Sequence, residues 1–313
     1  MSAPAVLLIV HRRVEETRRV FEAIAAARPL RLFVAADGPV SESDRDACER
    51  TRAIVRDVRW DCEAAFDFSD ANVGPDARVV SALRWVFTAV DSAIVLEDDC
   101  LPHPRFFTFC AAMLERYRDD ARVMHVSGEC YRASRDGECS YFFSKYPLAW
   151  GWATWARAWS LFDPQLGTWP RFRSQPEAAA LFDSTDERRY WLATFEQVHG
   201  DAAAGRPIPW DYAWYYACMT NALSVHPAAN LISNIGYGPR ATHTFGASHL
   251  ANRPFGALEE PLRHPAWIVR DRQADLDIFD RRFPGGILTQ QRSIRHQIGR
   301  PWRFAARAFS RRR

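Results

Sequence analysis

The sequence has no long apolar segment, no paired cysteine motif and little net charge. None of its apolar runs approaches the ~20 residues that a membrane-spanning helix needs. The seven cysteines show no CxxC pairing typical of a metal site, so we expect small, mostly buried, reduced thiols in a cytoplasmic protein. A net charge of +3 is too small to predict a nucleic-acid partner. We find no internal repeat and no low-complexity tract.

The two ends of the chain give predictions about the cellular location of the protein. The start lacks the basic segment and the cleavage site of a signal peptide. The tail at 291–313 is rich in arginine, has no acidic residue and contains interleaved aromatic residues. One interpretation is peripheral contact with the anionic inner face of the plasma membrane, where each basic residue contributes about 1 kcal/mol. The other is a basic tail without a partner.

The first part of the chain alternates strand and helix patterns. Apolar runs predict strands at 5–10, 30–36, 62–68, 93–96 and 122–126. Helical spacing and Pro or Gly turn signals predict helices at 14–27, 47–55 and 104–118, and another that ends near Phe87. This order predicts an α/β fold with a doubly wound, mostly parallel, Rossmann-like sheet in residues 1–128. Residues 129–290 would add an acceptor-binding part, followed by the tail at 291–313.

Three adjacent carboxylates, Glu97, Asp98 and Asp99, follow the predicted strand at 93–96. They repel one another, so a fold needs a reason to hold them together. A divalent cation such as Mg²⁺ or Mn²⁺, bridging carboxylate and phosphate oxygens, is one reason. The carboxyl ends of strands are also where open α/β sheets bind ligands. The alternative is a solvated turn or a helix N-terminus, where negative charge is stabilised.

Tryptophan is concentrated in the second part, with eight of the twelve between 150 and 214. Most of these rings are expected in the core. A few flat rings beside a cleft suit the apolar faces of a sugar, and we select Trp150, Trp152 and Trp214 as candidates for acceptor contact.

The segment 94–107, with sequence IVLEDDCLPHPRFF, resembles the metal-binding segment of N-acetylglucosaminyltransferase I and its bacterial relatives, which are GT-A-fold glycosyltransferases. The similarity extends over most of the chain and several motifs keep the same order. These motifs are VLLIVHRR at 6–13, AADG at 35–38, NVG at 72–74, SALRWVF at 81–87, WGWATW at 150–155, PWDYAW at 209–214 and THTFG at 242–246. The resemblance implies a metal-dependent, inverting transfer of a sugar from a nucleoside diphosphate, UDP in that family, to a carbohydrate or glycolipid hydroxyl.

The resemblance also implies roles for single residues. Asp99 would bind the metal, and Asp211 would act as the catalytic base. A carboxylate between Trp210 and Tyr212 is partly desolvated, which raises its pKa toward useful basicity. An aspartate capping a helix over 212–219 is the alternative for Asp211, and the two roles are compatible. Contacts with the nucleotide-sugar would come from Arg13, Asp37, Asn72, Arg78, Glu97 and Asp98.

Some details remain open or depart from the animal enzyme. Arg78 is either a diphosphate contact or a helix-surface arginine. Tyr212 stands where the animal enzyme has a second acidic residue. His243 replaces an uncharged residue, which makes it a candidate nitrogen ligand of the metal. We expect no counterpart of the animal enzyme's membrane anchor and stem, and the expected setting is assembly of bacterial surface glycans.

Two other functions compete with this interpretation. A nucleotidyltransferase that makes sugar nucleotides uses a similar sheet, but the segment 11–13 has no glycine for a triphosphate-binding loop. A non-catalytic carbohydrate-binding protein would use the tryptophans and a structural cation, but it leaves Asp37, the acidic triplet and Asp211 without a shared purpose.

Overall fold

The computed structural model describes residues 4–132, 139–237 and 249–283. The predicted metal ligand His243 and the predicted tail at 291–313 lie outside these ranges, so both stay predictions. No helix of the described ranges has the length and apolar character needed to cross a bilayer.

The described residues form one large sheet and one short ribbon. The strands are β1 Ala5–Val10, β2 Arg31–Ala36, β3 Glu63–Phe68, β4 Ser92–Glu97, β5 Cys100–Pro102, β6 Val123–Ser127, β7 Tyr141–Ser144, β8 Trp152–Trp155, β9 Leu223–Pro227 and β10 Ile232–Asn234. Eight of them make a sheet in the order β3-β2-β1-β4-β8-β6-β9-β7, and β5 pairs with β10. The predicted α/β class with a mostly parallel, doubly wound sheet is confirmed.

The first four sheet strands follow the sequence pattern closely. β1 pairs in parallel with β2 and β4, and β2 pairs in parallel with β3. Strand β8 comes from the second part of the chain, yet it lies antiparallel between β4 and β6. The two predicted parts therefore share one sheet, and their division into donor and acceptor halves stays a prediction.

Helices cover both faces of the sheet. They are α1 Val14–Ala27, α2 Arg45–Arg56, α3 Pro75–Val86, α4 Pro104–Arg116, α5 Ala156–Trp159, α6 Trp169–Phe172, α7 Pro176–Ala180, α8 Thr185–Ala203, α9 Trp210–Asn221 and α10 Arg272–Arg282. Alternate residues of β1 face opposite layers, because successive strand side chains point to opposite faces. Leu8 packs in the cluster that contains Ile24 of α1, whereas Leu7 packs in the cluster that contains Leu83 of α3 and Trp214 of α9. This two-sided burial fixes the strand register, and with it the residues that emerge at the strand ends.

Candidate active site at the carboxyl ends of the parallel strands

The acidic triplet lies at the end of the central strand β4. Asp98 accepts a hydrogen bond from the backbone N–H of His11 at 3.0 Å. The Nη1 atom of Arg13 lies 3.0 Å from Oδ1 of Asp98 and 2.5 Å from Oδ2 of Asp99. His11 and Arg13 follow β1, the parallel neighbour of β4, so the sheet itself brings the arginine to the carboxylates.

The triplet carries more negative charge than Arg13 balances. Burial, together with the neighbouring Asp99 and Asp98, raises the pKa of Glu97 to about 8. Burial also raises the pKa of Asp98 to about 6, against the opposing effect of Arg13. Burial lowers the pKa of Arg13, but Asp98 and Asp99 outweigh it and keep the guanidinium charged. Three carboxyl groups thus share the single positive charge of Arg13, and this arrangement favours the binding of a second cation.

The donor set fits a hard divalent ion that is only partly coordinated by protein. Within the described ranges, no three or more His, Cys, Asp or Glu side chains lie together in a cluster that could hold a metal ion by itself. Mg²⁺ characteristically binds through one or two carboxylates and completes its shell with water and phosphate oxygens. Asp99, with Asp98 beside it, supplies carboxylates of this kind. A complete cage of protein ligands is not required.

The ribbon of β5 and β10 closes over Asp99. The backbone N–H of Ile235 donates a hydrogen bond to the carbonyl of Asp99 at 2.8 Å. A Cβ atom at Gly236 would overlap the Asp99 side chain, so only glycine fits there without a shift. The next residue, Tyr237, packs edge-on against Trp150, with ring centroids 5.9 Å apart. The chain therefore passes directly over the triplet.

A cavity of about 520 Å³ opens beside the triplet. One wall is apolar and includes Val14, Val40, Pro75 and Val79. Its charged and polar lining comes from the strand ends, from α2 and from the first turns of α1 and α3. It includes Arg12, Arg13, Arg50, Arg78, Asp37, Asn72, Glu97 and Asp98. An apolar wall suits a flat ring, and clustered arginines suit phosphate groups. The cavity occupies the crevice where open α/β sheets bind ligands.

Asp37 and Asn72 shape one wall of this cavity. The Asp37 carboxylate accepts hydrogen bonds from the backbone N–H groups of Gly38, Val73 and Gly74 at 2.9, 3.0 and 3.1 Å. It also accepts one from Nδ2 of Asn72 at 3.0 Å. Asp37 is buried, so these bonds hold the loop at 72–74 onto the end of β2. Its predicted contact with a nucleobase stays a prediction, and its observed role is to fix the loop.

Arg78 is a buried arginine of α3, with 5% of its surface exposed. Its guanidinium pairs with Asp67 of β3 at 2.9 Å, which ties the helix to the sheet. The alternative of a helix-surface arginine is therefore wrong. Arg78 also lines the cavity, so contact between Arg78 and a diphosphate stays a prediction.

Asp211 lies in the first turn of α9. Pro209 occupies the N-cap position, so the predicted capping role is wrong; Oδ1 of Asp211 instead accepts the backbone N–H of Tyr212 at 3.0 Å. Burial raises the pKa of Asp211, Arg282 opposes this, and Asp76 adds to it. The charge of Asp211 is the smallest of the influences that raise the pKa of Glu97. Asp211 is half-buried, which agrees with the predicted partial desolvation.

The prediction that Trp152 and Trp214 contact an acceptor is not supported by their positions. Their exposed fractions are 1% and 0%. Trp152 stacks on Trp210 with ring centroids 5.7 Å apart, and Nε1 of Trp214 donates to Nδ1 of His125 at 3.2 Å. Both rings belong to the core between the sheet and α9. Trp150 is only half-buried and lies beside Tyr237, so its role in acceptor binding stays a prediction.

Sequence reasoning missed two charged residues of this region, Glu129 and Arg282. Glu129 follows β6 and is buried, and its carboxylate accepts hydrogen bonds from the Tyr131 hydroxyl at 2.8 Å and the Trp150 N–H at 3.3 Å. Its position after a predicted strand was a usable signal. Arg282 ends α10, and its Cζ lies 4.2 Å from the centroid of the Trp150 ring. No motif distinguishes it from the other arginines near it.

Comparisons with known proteins give fold-level similarity only. No protein-family model and no curated protein matches the chain. A solved mannosyltransferase, PcManGT from Pyrobaculum calidifontis in complex with GDP-Man and Mn²⁺, is 14% identical, with a TM-score of 0.36 over 69% of this chain and 70% of that one. An active-site mutant of LgtC is 14% identical, with a TM-score of 0.32 over 54% of this chain and 65% of that one, just under two thirds of its length. Values this low carry no conclusion about what the chain binds.

Proposed function

We propose that the protein is a metal-dependent glycosyltransferase of the GT-A type, which moves a sugar from a nucleoside diphosphate to a glycan hydroxyl with inversion. The observation that carries this proposal is the cavity at the carboxyl ends of the parallel strands with the acidic triplet at its end. The half-buried Asp211 is the proposed base. UDP is the proposed donor nucleotide, and bacterial surface glycan assembly is the proposed setting.

The donor would lie in the cavity along the ends of β1, β2 and β4. Its base would pack on the apolar wall near Val40 and Pro75, and its phosphates would point toward Arg13 and the triplet. Asp99 and Asp98 would hold the divalent ion. When bound, that ion supplies Lewis-acid neutralisation of the leaving diphosphate.

Asp211 would take the proton from the attacking acceptor hydroxyl. Burial raises its pKa toward the operating range of a general base, and Arg282 keeps it from rising further. The hydroxyl oxygen forms the new bond to the anomeric carbon as the bond to the diphosphate breaks. Attack from the face opposite the leaving group inverts the anomeric configuration. Trp150, half-buried beside the site, is the proposed ring for acceptor contact.

The proposal is tested by calorimetry of nucleoside diphosphates with and without Mn²⁺. We expect UDP to bind only with the metal, and Asp99→Ala to weaken this binding by at least about 100-fold, because a metal ligand is lost. Asp119→Ala is the matched control, since Asp119 is exposed after α4 and lies outside the lining of the cavity. GDP, CDP and dTDP are screened in parallel, because the cavity wall does not select a base by itself. Absence of binding for all four would favour a carbohydrate-binding protein.

Gly236→Ala tests the closure over Asp99. The added methyl group overlaps the Asp99 carboxylate, so we expect the affinity for UDP with Mn²⁺ to fall by about tenfold, equivalent to roughly 1.4 kcal/mol. The measurement is the same titration, with circular dichroism to verify folding. Gly200→Ala is the control, because a Cβ at Gly200 meets nothing within 4 Å. An unchanged affinity in Gly236→Ala would place the metal away from Asp99.

A further inference from the structure

Helix α9, which carries Asp211 in its first turn, follows a proline that has no side-chain hydrogen-bond acceptor. The first N–H groups of a helix have no partner within the helix, and an N-cap side chain usually accepts from one of them. Pro209 at the N-cap cannot do this. The Trp210 N–H donates instead to Oδ1 of Asp76 at 2.9 Å. Asp76 lies 134 residues away in the sequence, so a distant helix supplies the acceptor.

Asp76 lies in the first turn of α3, beside the cavity. This helix begins at Pro75, and both Pro75 and Val79 line the cavity. The loop at 72–74, which leads into the helix, is held by the Asp37 carboxylate. The first turn of α3 therefore faces the cavity with some of its side chains and holds α9 with another.

The two helices also pack together in one buried cluster. Val79 and Leu83 of α3 share this cluster with Trp210 and Trp214 of α9. Apolar packing keeps the helices in contact but is non-directional. A hydrogen bond is directional, and it weakens steeply when its angle departs from linearity. The bond to Asp76 is therefore the contact that orients the first turn of α9 toward α3 and the cavity.

We propose that Asp76 is a positioning residue, which holds the first turn of α9, and thereby the Asp211 carboxylate, in place relative to the donor cavity. This inference rests on the proposed function, in which Asp211 is the base. Asp211 directly follows Trp210, so its backbone position depends on the residue that Asp76 holds. A general base must lie within hydrogen-bond reach of the proton that it accepts. A displacement of about 1 Å at such a group lowers the rate by on the order of 10²-fold.

The first test compares Asp76→Ala and Asp76→Asn in steady-state sugar transfer. Alanine removes the acceptor of the Trp210 N–H, so we expect kcat to fall by about 10–100-fold, with the KM for the donor within about twofold of the wild type. Asparagine keeps an acceptor oxygen at the same place and should restore most of the rate. Glu177→Ala is the matched control, because Glu177 is exposed and also follows the proline that begins a helix, α7.

Three kinetic results would contradict the inference. One is a wild-type kcat in Asp76→Ala. Another is a rate in Asp76→Asn as low as in Asp76→Ala, since the charge of Asp76 would then matter and not its hydrogen bond. The third is a change confined to the KM for the donor, which would assign Asp76 to the cavity wall alone.

The second test does not depend on activity and separates the two proposals. Hydrogen–deuterium exchange of the segment 206–214 includes the Trp210 amide. In Asp76→Ala we expect one amide of this segment to exchange at least about tenfold faster, and in Asp76→Asn to exchange as in the wild type. Unchanged exchange in Asp76→Ala would overturn the inference even if the enzyme transfers sugar. A wild type that transfers nothing but shows this change would refute the proposed function alone. If Asp76→Ala does not fold, Asp76→Leu, which fills the space of the carboxylate without an acceptor, replaces it.

Discussion

Asp211→Asn is expected to lower the rate of sugar transfer by about 10²–10⁴-fold, with little change in the binding of nucleoside diphosphate. The amide has the shape of the carboxylate and still accepts the Tyr212 N–H, so the first turn of α9 should persist. It has no basic oxygen for the acceptor proton. The measurement is the initial rate at saturating acceptor, with the donor found in the nucleotide screen.

Asp119→Asn is the matched control, since it makes the same chemical change on an exposed residue after α4. Its rate should equal that of the wild type. A wild-type rate in Asp211→Asn would contradict the assignment of the base. Glu97→Gln would then be examined next, because Glu97 is the other carboxyl group whose raised pKa involves Asp211.

The sequence was most informative about the first half of the sheet. The first four predicted strands correspond to β1–β4. In β1, β2 and β4 the pattern is continuously apolar because the strands are buried, whereas β3 is a partly exposed edge strand. The intervening turns carry Gly or Pro. Parallel strands also end at the same edge, so Arg13 after β1 and Asp98 after β4 could be expected to meet. This part of the site follows from topology alone.

The second half was harder to predict because its pattern does not reveal which side chains face inward. Helix α9 is buried on nearly all sides, so the period of its apolar residues does not separate a core ring such as Trp214 from a ligand-facing one. Trp152 is buried because β8 inserts between β4 and β6, a pairing between strands far apart in sequence. Arg282 reaches the site only because α10 docks on β7, and no local pattern in the sequence predicts that docking. Asp37 was found as a strand-end carboxylate, but its bonds to the loop at 72–74 depend on tertiary structure.

Lys145→Met is expected to destabilise the protein by about 3–5 kcal/mol near pH 8, because it removes the cation that pairs with the buried Glu187 and leaves Asp275 to Arg270 alone. Lys145 is 1% exposed, and its Nζ lies 2.7 Å from Oε1 of Glu187 and 4.0 Å from Oδ2 of Asp275. Glu187 and Asp275 are both 0% exposed. Methionine has a similar length and fills the same space, so the loss reports charge more than packing. Chemical denaturation measures it.

The loss of stability in Lys145→Met should become smaller as the pH falls toward 5. The direction of this pH dependence follows from the pKa of Asp275. Burial raises the pKa of Asp275 to about 7 in the folded protein, against the opposing effect of Lys145, whereas an unfolded aspartate has its ordinary value near ~4. The folded form therefore binds a proton that the unfolded form lacks between these values, and the cost of ionising the buried group grows as pH rises through that window. Without Lys145 the pKa of Asp275 in the folded protein rises further, so the stabilities of wild type and variant should differ most above pH 7.

Arg272→Met is the control, because the Arg272 side chain is 73% exposed and its pair with Asp183 should contribute under about 1 kcal/mol. A loss in Lys145→Met that is the same at pH 5 and pH 8 would contradict the electrostatic explanation. Because the same network fastens α10 to β7, a pH-dependent loss would also link this buried charge cluster to the placement of Arg282.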